Sequence, residues 1–370
     1  MSDIQYPIRV AQIMGKMCAG GVESVVFNYY RAIDKSKIQF DFFYDEDSTI
    51  EPPQDLIDMG AKFYKIPPYQ KIWSYIPYLR KELKQRKYLI VHSHINTLSV
   101  FPLFSAFLSG VPIRIAHNHS VPGKGEFRRN TLKYILKIFA KIFSTDYFAC
   151  SEKAGRWMFG NKYYDNGEVY VMHNAIDFNK FNNSYEREEN EFLSQYDING
   201  KFIVGHVGRF TYAKNHKYLI NVFKYLKEKI PNAVLLLVGD GELQDLIFTE
   251  VERLKLQDSV IYTGKTDKPE RYYSLMNVII LPSIFEGLSM VTIEAQVSKV
   301  PIVVSTAVPE EAVISQEGLA YMHLDASYCE WANKALELAN KKVELTEKSN
   351  VYNILNAVKM LETWYLSKVI

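Results

Sequence analysis

Short apolar runs recur along the whole chain, and each is followed by a polar or glycine-rich turn and then by a longer amphipathic stretch. Apolar runs without alternation are typical of parallel strands that are buried on both faces. The longer stretches repeat their apolar positions with the period of an α-helix. The pattern therefore predicts an α/β fold in which helices cover both faces of parallel sheets.

The apolar runs form two series. The predicted strands are 8–14, 40–44, 62–66, 89–92, 113–117, 147–150 and 169–172 in the first series, and 202–207, 234–238, 260–262, 278–281 and 302–304 in the second. The polar segment 178–200 lies between them, and we interpret it as a linker. We therefore expect two doubly wound, Rossmann-like domains, in which ligands bind at the carboxyl ends of the strands.

Length and composition agree with two globular domains. A chain of 370 residues is too long for one ordinary core, and 48% hydrophobic with 23% charged residues is typical of globular proteins. The 44 basic and 42 acidic residues nearly balance, which argues against a nucleic-acid binder that works through bulk charge. The three cysteines show no CxxC spacing, so we expect free thiols in a reducing cytoplasm. A strand begins at Ile8, so we expect no signal peptide.

Two glutamates follow the predicted strand 278–281 in the segment FEGLSMVTIEA. Glu286 lies on a glycine-containing turn, and Glu294 lies inside the helix that follows. On one continuous helix they would be roughly 12 Å apart, whereas a retaining glycosidase pair is separated by about 5–5.5 Å. We interpret them as acceptors for two sets of ligand hydroxyls, beside a helix N-terminus that suits an anion. The alternative is a helix-terminal charge at Glu286 and a surface residue at Glu294.

The loop after strand 202–207 carries two cations, Arg209 and Lys214, between a strand end and a helix start. A nucleoside diphosphate is a poor leaving group unless its developing negative charge is neutralised. A guanidinium, an ammonium and helix N-terminal amides can do this without a metal. The alternative is a pair of solvated surface cations.

The first domain offers a glycine pair and two histidine pairs at strand ends. Gly20 and Gly21 precede a helix, where backbone N–H groups can approach a phosphate or a sugar, although the motif is neither GxGxxG nor a Walker loop. The histidine pairs are His92 with His94 and His117 with His119. No carboxylate or cysteine accompanies them and we expect the members of a pair to face different sides, so we predict no metal site. A histidine that bonds a sugar hydroxyl fits better, with His117 as first choice and His94 as second.

The segment 127–143 is a basic amphipathic helix by its pattern, with Lys133, Lys137 and Lys141 four residues apart. Such a helix is able to lie on an anionic membrane. The alternative is a helix that packs on the first sheet and turns its lysines to solvent. One helix can do both.

In their order and spacing, Gly20-Gly21, Arg209 with Lys214, and Glu286 with Glu294 closely resemble the retaining glycosyltransferases of family 4, which have the GT-B fold. The resemblance covers essentially the whole chain and includes IAHNHS around His117, HNAID at His173–Asp177 and VGDGE at Val238–Glu242. The sequence FACSEKAGRWMFG at Phe148–Gly160 is similar to the branch that builds bacterial exopolysaccharide and capsule repeats.

The resemblance implies two domains facing across a cleft, with 1–180 on the acceptor side and 181–351 binding the donor. The final helix, 352–370, would cross back to the first domain. The implied activity is metal-independent, retaining transfer of a hexose or N-acetylhexosamine, with UDP the favoured nucleotide, to a lipid-linked or polysaccharide acceptor. We expect no cofactor, and a cytoplasmic protein at the inner face of the plasma membrane.

The resemblance also implies individual roles. Arg209 and Lys214 would bind the donor diphosphate, Glu294 the ribose and Glu286 the donor sugar. Gly20 and Gly21 would lie against the donor, and His117 beside the reacting centre. The remaining implied donor contacts are the base-binding loop Thr263, Gly264 and Lys265, and the phosphate-binding amides of Gly287, Leu288, Ser289 and Met290.

Three features leave alternatives open. Asp45 and Asp47 match the DxD metal motif of the other large glycosyltransferase fold, but the second α/β half of the chain favours a coincidental acidic loop. Lys299 stands where the family often has glycine, so we expect a positive φ there or a different helix end. A nucleotide-sugar epimerase or hydrolase, and a catalytically silent subunit of the same fold, remain alternative functions.

Overall fold

A computed structural model describes residues 6–18, 20–120, 127–182, 186–266 and 268–369 of the chain. The chain forms two compact units. Unit 1 comprises Met1–Ile176 and Val351–Ile370, and unit 2 comprises Asp177–Asn350. The C-terminal helix, Ile354–Val369, therefore belongs to unit 1.

Unit 1 is built on a seven-stranded parallel sheet. Its strands are β1 (Ile8–Gly15), β2 (Ile38–Asp45), β3 (Lys62–Ile66), β4 (Ile90–Ser93), β5 (Ile113–Asn118), β6 (Asp146–Ala149) and β7 (Val169–Val171). Their order is β3-β2-β1-β4-β5-β6-β7, so the order reverses between β1 and β4. Ligands of such sheets bind where the strand order reverses, at the carboxyl ends of the strands.

Helices cover both faces of this sheet. They are α1 (Gly21–Ala32), α2 (Gln54–Asp58), α3 (Ile72–Arg86), α4 (Val100–Leu108), α5 (Phe127–Phe143), α6 (Glu152–Phe159), α7 (Asn161–Asp165) and the C-terminal helix. Val10 of β1 packs in one core with α1 and the C-terminal helix, whereas Ala11 packs in the other with α3, α4 and α6. Successive strand residues point to opposite faces, which explains why the apolar residues of β1 are not confined to alternate positions.

Unit 2 repeats the design with six parallel strands. They are β8 (Phe202–Val207), β9 (Ala233–Val238), β10 (Val260–Gly264), β11 (Val278–Leu281), β12 (Ile302–Ser305) and β13 (Leu319–Met322). The order is β10-β9-β8-β11-β12-β13, so it reverses between β8 and β11. The helices are α8 (Phe178–Asn182), α9 (Glu186–Gln195), α10 (His216–Lys229), α11 (Gln244–Arg253), α12 (Glu270–Tyr273), α13 (Met290–Val297) and α14 (Tyr328–Leu338).

The structure confirms the α/β class and the two parallel sheets, and it corrects two local predictions. The segment 178–200, interpreted as a linker, contains α8 and α9, and unit 2 begins at Asp177. Strand β13 was not predicted. Lys299 has a φ of 59°, the positive value expected for a residue that stands in place of glycine. Across the described part of the chain, every helix is too short or too polar to traverse a bilayer.

Candidate active site

Two loops meet at the carboxyl ends of β8 and β11, where the strand order of unit 2 reverses. The first carries Arg209 and Lys214, and the second carries Glu286. The backbone N–H of Ile284 donates to the carbonyl of Ala213 over 2.8 Å, so the two loops are joined directly. The position agrees with the general location of ligand sites in doubly wound sheets.

The side chains of Lys214 and Glu286 form an ion pair. Lys214 Nζ lies 2.7 Å from Glu286 Oε1, and the two side chains are only 17% and 9% exposed. The Ser283 hydroxyl donates to the same oxygen over 2.6 Å. The sequence prediction gave these two residues different parts of one ligand, and the structure places them in contact. Each is therefore held in position by the other before any ligand arrives.

Glu294 lies within α13 and is hydrogen-bonded through one oxygen. The Tyr273 hydroxyl donates to Glu294 Oε2 over 2.6 Å. Burial raises the pKa of Glu294, and the hydrogen bond from Tyr273 and the charge of Lys214 partly oppose that rise. Lys214 therefore acts electrostatically on both glutamates. The bond from Tyr273 orients the carboxyl group, which a surface residue would not need.

The turn between the two glutamates leads directly into α13. Gly287 is exposed, Leu288 is half-buried and Ser289 is buried. The helix begins at Met290, and the Thr292 hydroxyl donates to the Ser289 hydroxyl over 2.9 Å. A helix N-terminus next to a carboxylate–ammonium pair provides both backbone donors and a partial positive charge.

The loops after β8, β9 and β10 form one continuous edge. A Cβ on Gly239, whose φ is 140°, would lie 2.1 Å from the carbonyl oxygen of Gly208, so only glycine allows this approach. The N–H of Gly239 in turn donates to the carbonyl of Gly264 over 3.0 Å. The predicted base-binding residues Thr263 and Lys265 flank Gly264, half-buried and exposed respectively. Arg209 is exposed and, among the described residues, its side chain forms no ion pair.

Two buried histidines behind this edge were not singled out from the sequence. His206 lies on β8 and donates through Nδ1 to the carbonyl of Ile280 over 2.9 Å. His216 begins α10, and its ring centroid lies 4.5 Å from that of His206. Burial lowers the pKa of His206 to about 4 and that of His216 to about 2. Both rings are therefore neutral. Nothing in the local sequence marks these two histidines, because their position next to the loop that carries Lys214 is visible only in the structure.

In unit 1, Gly20 and Gly21 lie where the strand order reverses, after β1. Gly20 precedes α1, and the Cys18 N–H donates to Glu23 Oε1 over 2.8 Å, which closes the turn. A Cβ on Gly20 would lie 2.9 Å from Glu23 Oε2, whereas a Cβ on Gly21 would meet no described atom within 4 Å. The space over Gly21 is therefore open within the described residues.

The four histidines at the ends of β4 and β5 form one cluster: His92, His94, His117 and His119. The ring centroids of His92 and His94 are 4.2 Å apart, and those of His117 and His119 are 3.8 Å apart. The expectation that the members of each pair face different sides was wrong. Residues two apart along an extended chain share a face, so each pair stacks.

The members of this histidine cluster differ in exposure. His92, His94 and His117 are at most 2% exposed, whereas His119 is partly exposed. Burial lowers the pKa of the first three well below the ordinary value and that of His119 to about 3. All four rings are therefore neutral at physiological pH. His117, the first choice from the sequence, is the most deeply buried together with His92.

The donor atoms of His92, His94 and His117 lie within 4.8 Å of one another, a spacing that a metal ion could bridge. The nearest of these atoms are already hydrogen-bonded, His92 Nε2 to His117 Nδ1 over 3.0 Å. No described carboxylate contacts the cluster, so a divalent charge would be buried without compensation. The chemistry of this donor set favours a hydrogen-bonded cluster.

Asp45 and Asp47, the DxD match, are in different environments at the end of β2. Asp47 is exposed and pairs with Lys16 over 2.8 Å. Asp45 is 1% exposed, and its Oδ2 has no hydrogen-bond partner among the described residues. Burial, and secondarily the charge of Asp47, raises the pKa of Asp45 to about 7. The two carboxyl groups of the motif therefore differ, because the hydrogen bond and the charge of Lys16 instead lower the pKa of Asp47.

Two family models together match most of the chain. The model described as Glycosyltransferase Family 4 matches residues 19–180, and the model described as Glycosyl transferases group 1 matches residues 188–352. The first falls within unit 1, apart from its last residues, and the second falls almost wholly within unit 2.

Similar sequences come from bacterial polysaccharide synthesis. A Bacillus subtilis protein named EpsF is 29% identical over 82% of this chain and 80% of its own length. The UDP-Gal:alpha-D-GlcNAc-diphosphoundecaprenol alpha-1,3-galactosyltransferase of Escherichia coli is 23% identical over the full length of both proteins. The capsular polysaccharide biosynthesis glycosyltransferase CapH of Staphylococcus aureus is 24% identical over 98% of this chain and all of its own length.

Solved structures show the same fold. Anabaena Alr3699/HepE in complex with UDP-glucose superposes with a TM-score of 0.75 at 16% identity, over 97% of this chain and 99% of the other. WaaG, a glycosyltransferase involved in lipopolysaccharide biosynthesis, gives a TM-score of 0.64 at 13% identity, over 97% and 98%. The chain thus belongs to the family 4 and group 1 glycosyltransferases and has their GT-B fold.

Proposed function

We propose that this glycosyltransferase transfers a hexose or N-acetylhexosamine from a UDP-sugar to a lipid-linked or polysaccharide acceptor in cell-surface glycan synthesis. The full-length similarity to the diphosphoundecaprenol galactosyltransferase supports a lipid-linked acceptor, and the similarity to HepE, solved with UDP-glucose, supports the donor class. Unit 2 would be the donor-binding domain and unit 1 the acceptor-side domain.

The observation that carries the proposal is the Lys214–Glu286 ion pair at the point where the strand order of unit 2 reverses. A diphosphate that enters this site offers Lys214 two negative charges in place of one. The ammonium can then turn to the phosphate, and Glu286 is released to accept hydrogen bonds from the sugar hydroxyls. The pair is thus a preformed site. On binding, Lys214 would contact the diphosphate and Glu286 would contact the sugar of the same ligand.

The other donor contacts follow from the same loops. Arg209 is exposed beside Lys214 and would add a forked contact to the diphosphate. Glu294 has one oxygen held by Tyr273 and would accept the ribose hydroxyls through the other. The amides of Gly287, Leu288, Ser289 and Met290 would complete the phosphate site, and Thr263, Gly264 and Lys265 would hold the base.

Catalysis would rest on stabilising the leaving group. Lys214, Arg209 and the start of α13 neutralise the charge that develops on the departing UDP, which is the role a metal has in other transferases. Glu286 and Glu294 are assigned to the sugar and the ribose hydroxyls, so none of the carboxylates named here is left to form a covalent intermediate. We therefore infer retention through attack on the same face of the sugar. Gly20, Gly21 and the histidine cluster would contribute the contacts of unit 1.

A membrane contact through α5 would bring the enzyme to a lipid-linked acceptor at the inner face of the plasma membrane. Five apolar side chains of this helix are exposed: Tyr134 54%, Ile135 51%, Ile138 65%, Phe139 45% and Ile142 60%. Lys137 instead lies over the Trp157 ring at 5.3 Å, and Lys141 donates to the Phe159 carbonyl over 3.2 Å. An outward apolar stripe with cations beside it suits the surface of an anionic bilayer.

Transfer is tested by incubating the protein with a panel of UDP-sugars and an undecaprenyl-diphosphate-linked sugar, and by identifying the anomeric configuration of the product. We expect one UDP-sugar to be used with retention, at a rate that EDTA does not reduce. Release of free sugar or of an epimer without acceptor would identify a hydrolase or an epimerase instead. A thermal shift from UDP without turnover on any acceptor would identify a silent subunit.

The membrane contact is tested separately with Ile138→Glu and Ile142→Glu together. We expect this variant to lose binding to vesicles of phosphatidylglycerol and to keep its transfer rate on a detergent-solubilised acceptor. Leu246→Glu in unit 2, where the side chain is 67% exposed, is the matched control and should bind vesicles normally. Unchanged vesicle binding in the α5 variant would contradict the membrane contact.

A further inference from the structure

One ring nitrogen of His206 has no hydrogen-bond partner in the interior of unit 2. His206 lies on β8 and is fully buried. Its Nδ1 lies 2.9 Å from the carbonyl oxygen of Ile280, which can only accept, so Nδ1 carries the proton. The ring is neutral, because burial lowers its pKa to about 4. Nε2 therefore holds a lone pair, and no described group donates to it.

A buried acceptor without a donor is unusual in a folded protein, because it has lost the hydrogen bonds that water would provide. An apolar side chain fills such a position without that loss. Val204, two residues earlier on the same face of β8, packs into the core in this way. We therefore expect the lone pair of His206 to accept a hydrogen bond in another state of the protein.

The neighbours of the ring indicate Lys214 as the donor. The ring of His216 packs against that of His206, with centroids 4.5 Å apart and 69° between the planes, but neither nitrogen of His216 forms a hydrogen bond with a described residue. Lys214 is close enough for its positive charge to lower the pKa of His206 further, in addition to the effect of burial.

His206 Nε2 and the Lys214 side chain lie on two sides of the space over Gly208. A Cβ on Gly208 would lie 3.7 Å from His206 Nε2 and 3.2 Å from Lys214 Cε. Because glycine has no Cβ, this space is not filled by residue 208. Lys214 Nζ is one bond beyond Cε, and the flexible stem of a lysine allows rotation that brings the ammonium group to the lone pair.

The ammonium group of Lys214 has N–H groups available for such a bond. It carries three, and within the described part of the chain Nζ donates to Glu286 Oε1 alone, over 2.7 Å. Under the proposed function, the diphosphate takes a second N–H and Glu286 is released to the sugar. The ammonium group then needs a fixed acceptor in the protein if it is to stay in place over the strand end.

We propose that His206 is a positioning residue, whose Nε2 lone pair accepts a hydrogen bond from the Lys214 ammonium group when Lys214 turns from Glu286 to the diphosphate. This role rests on the proposed function and involves no contact between His206 and the ligand. A neutral acceptor suits the task. A second cation would repel Lys214, and a carboxylate would compete with the phosphate for its charge.

The first test uses two amide substitutions in the full-length protein that separate the two ring nitrogens. The amide of asparagine reaches the place of Nδ1, so H206N keeps the bond to Ile280 and loses the acceptor at Nε2. The longer glutamine reaches the place of Nε2, so H206Q keeps the acceptor and loses the bond to Ile280. We expect kcat/KM for the UDP-sugar to fall about 10- to 100-fold in H206N and by no more than about threefold in H206Q, in the range of one hydrogen bond to a charged group.

Thermal unfolding of the same variants provides the contrast. We expect H206Q to have the lower Tm, because it leaves the Ile280 carbonyl without its donor, although it transfers faster than H206N. A purely structural role predicts that transfer follows stability. Transfer that falls in parallel with Tm, or equal transfer in both variants, would overturn the proposal. His323→Gln, at an exposed position in unit 2, is the control and should match the wild type in both measurements.

The second test does not depend on turnover or on the folding of a variant. Nitrogen-15 NMR of the histidine side chains in the wild type distinguishes protonated, free and hydrogen-bonded ring nitrogens. We expect one buried histidine with a protonated Nδ1 and an unprotonated Nε2, whose Nε2 signal moves toward that of a hydrogen-bonded acceptor when UDP is added. UDP binding without a change at Nε2 would overturn the proposal alone, whereas absence of UDP binding in calorimetry would contradict the proposed function as well.

Discussion

The two units carry candidate ligand-binding edges of the same topology and opposite chemistry. At the reversal point of unit 2, an ammonium and a carboxylate are paired in a partly buried site, and a second carboxylate is held by Tyr273. Next to the reversal point of unit 1, four neutral histidines, a glutamine and a tyrosine are joined by hydrogen bonds. One fold therefore presents charge on one sheet and directed neutral hydrogen bonds on the other.

Under the proposed function, the difference would correspond to the two halves of a nucleotide-sugar reaction. A departing diphosphate carries charge that only cations and helix dipoles can stabilise. Sugar hydroxyls instead require donors and acceptors of fixed direction, and a neutral imidazole supplies one of each. Burial produces both arrangements, because it keeps the histidines uncharged and strengthens the interaction of Lys214 with the glutamates.

The largest difference between the units is expected on acidification. The pKa values of His92, His94, His117 and His119 are lowered in the folded protein, from an ordinary value of 6.5. Below that value the unfolded chain takes up protons that the folded unit cannot, so stability present above pH 6.5 is lost as the pH falls. The slope approaches about 1.4 kcal/mol per pH unit for each histidine.

Hydrogen exchange followed by mass spectrometry at pH 7.5, 6 and 5 resolves the two units. We expect β4 and β5 of unit 1 to lose protection first. Unit 2 has two such histidines. Each unit also has a carboxyl group whose raised pKa opposes the loss, Asp45 in unit 1 and Glu294 in unit 2, so the larger number of buried histidines decides the difference. Equal loss of protection in both units would remove this part of the comparison.

Most of the fold could be predicted from the sequence because buried parallel strands are mostly apolar runs without strict alternation. β9 is apolar and buried throughout, and β1 is buried along nearly its whole length and is mostly apolar, with Arg9 and Gln12 as the exceptions. β13 was not predicted because Leu319–Met322 is a short, half-buried edge strand that follows Gly318. The segment 178–200 was misinterpreted because polarity alone does not distinguish a linker from a short polar helix such as α9.

The candidate site was only partly predictable. Glu286, Glu294, Arg209 and Lys214 follow strand ends in the sequence, so their placement in unit 2 could be expected. The Lys214–Glu286 contact joins residues 72 positions apart, and the Gln12–Tyr365 bond joins residues 353 apart. Such contacts are set by the packing of elements and not by any local pattern. The burial of His117 and the partial exposure of His119 were likewise not predictable, because exposure at a strand end depends on where the neighbouring ring stacks.

The next effect concerns the cation of unit 2. Lys214→Ala removes the ammonium that we propose contacts the diphosphate, and it leaves Glu286 partly buried without its charge partner. We expect kcat/KM for the UDP-sugar to fall about a thousandfold or more, as when a principal stabilising donor is removed from other active sites. Steady-state kinetics measures the loss. Lys217→Ala, an exposed lysine on α10, is the matched control, and equal rates in the two variants would show that unit 2 does not handle the leaving group through Lys214.

A smaller effect is expected at the carboxylate held by Tyr273. Glu294→Gln keeps the shape of the side chain and removes its charge, so one strong acceptor for the ribose hydroxyls is lost. We expect UDP affinity, measured by calorimetry, to fall about 10- to 100-fold, within the range of a hydrogen bond to a charged group. Glu252→Gln on α11 is the exposed control. Unchanged affinity would assign Glu294 a structural role.

The smallest effect is expected at Asp45, and it tests whether unit 1 also disfavours the charged form of a buried group outside the histidine cluster. Asp45 is buried at the end of β2 and its pKa is raised to about 7, from an ordinary value of 3.8. The folded state therefore favours the protonated form. The cost of ionisation begins as the pH rises above the ordinary value and is complete above 7. Asp45→Asn removes this cost, and we expect a gain of about 1–2 kcal/mol in the free energy of unfolding at pH 8.5.

The pH dependence of that gain is the decisive measurement. Urea unfolding at pH 5 and pH 8.5 should show a larger gain for Asp45→Asn at the higher pH, whereas Asp58→Asn, at an exposed position in α2, should show no such difference. A gain that is equal at both values would mean that Asp45 is already ionised in the folded protein. An ionised Asp45 beside Asp47 would be an effective ligand for a divalent cation, and the interpretation of this segment as an acidic loop without a metal would then fail.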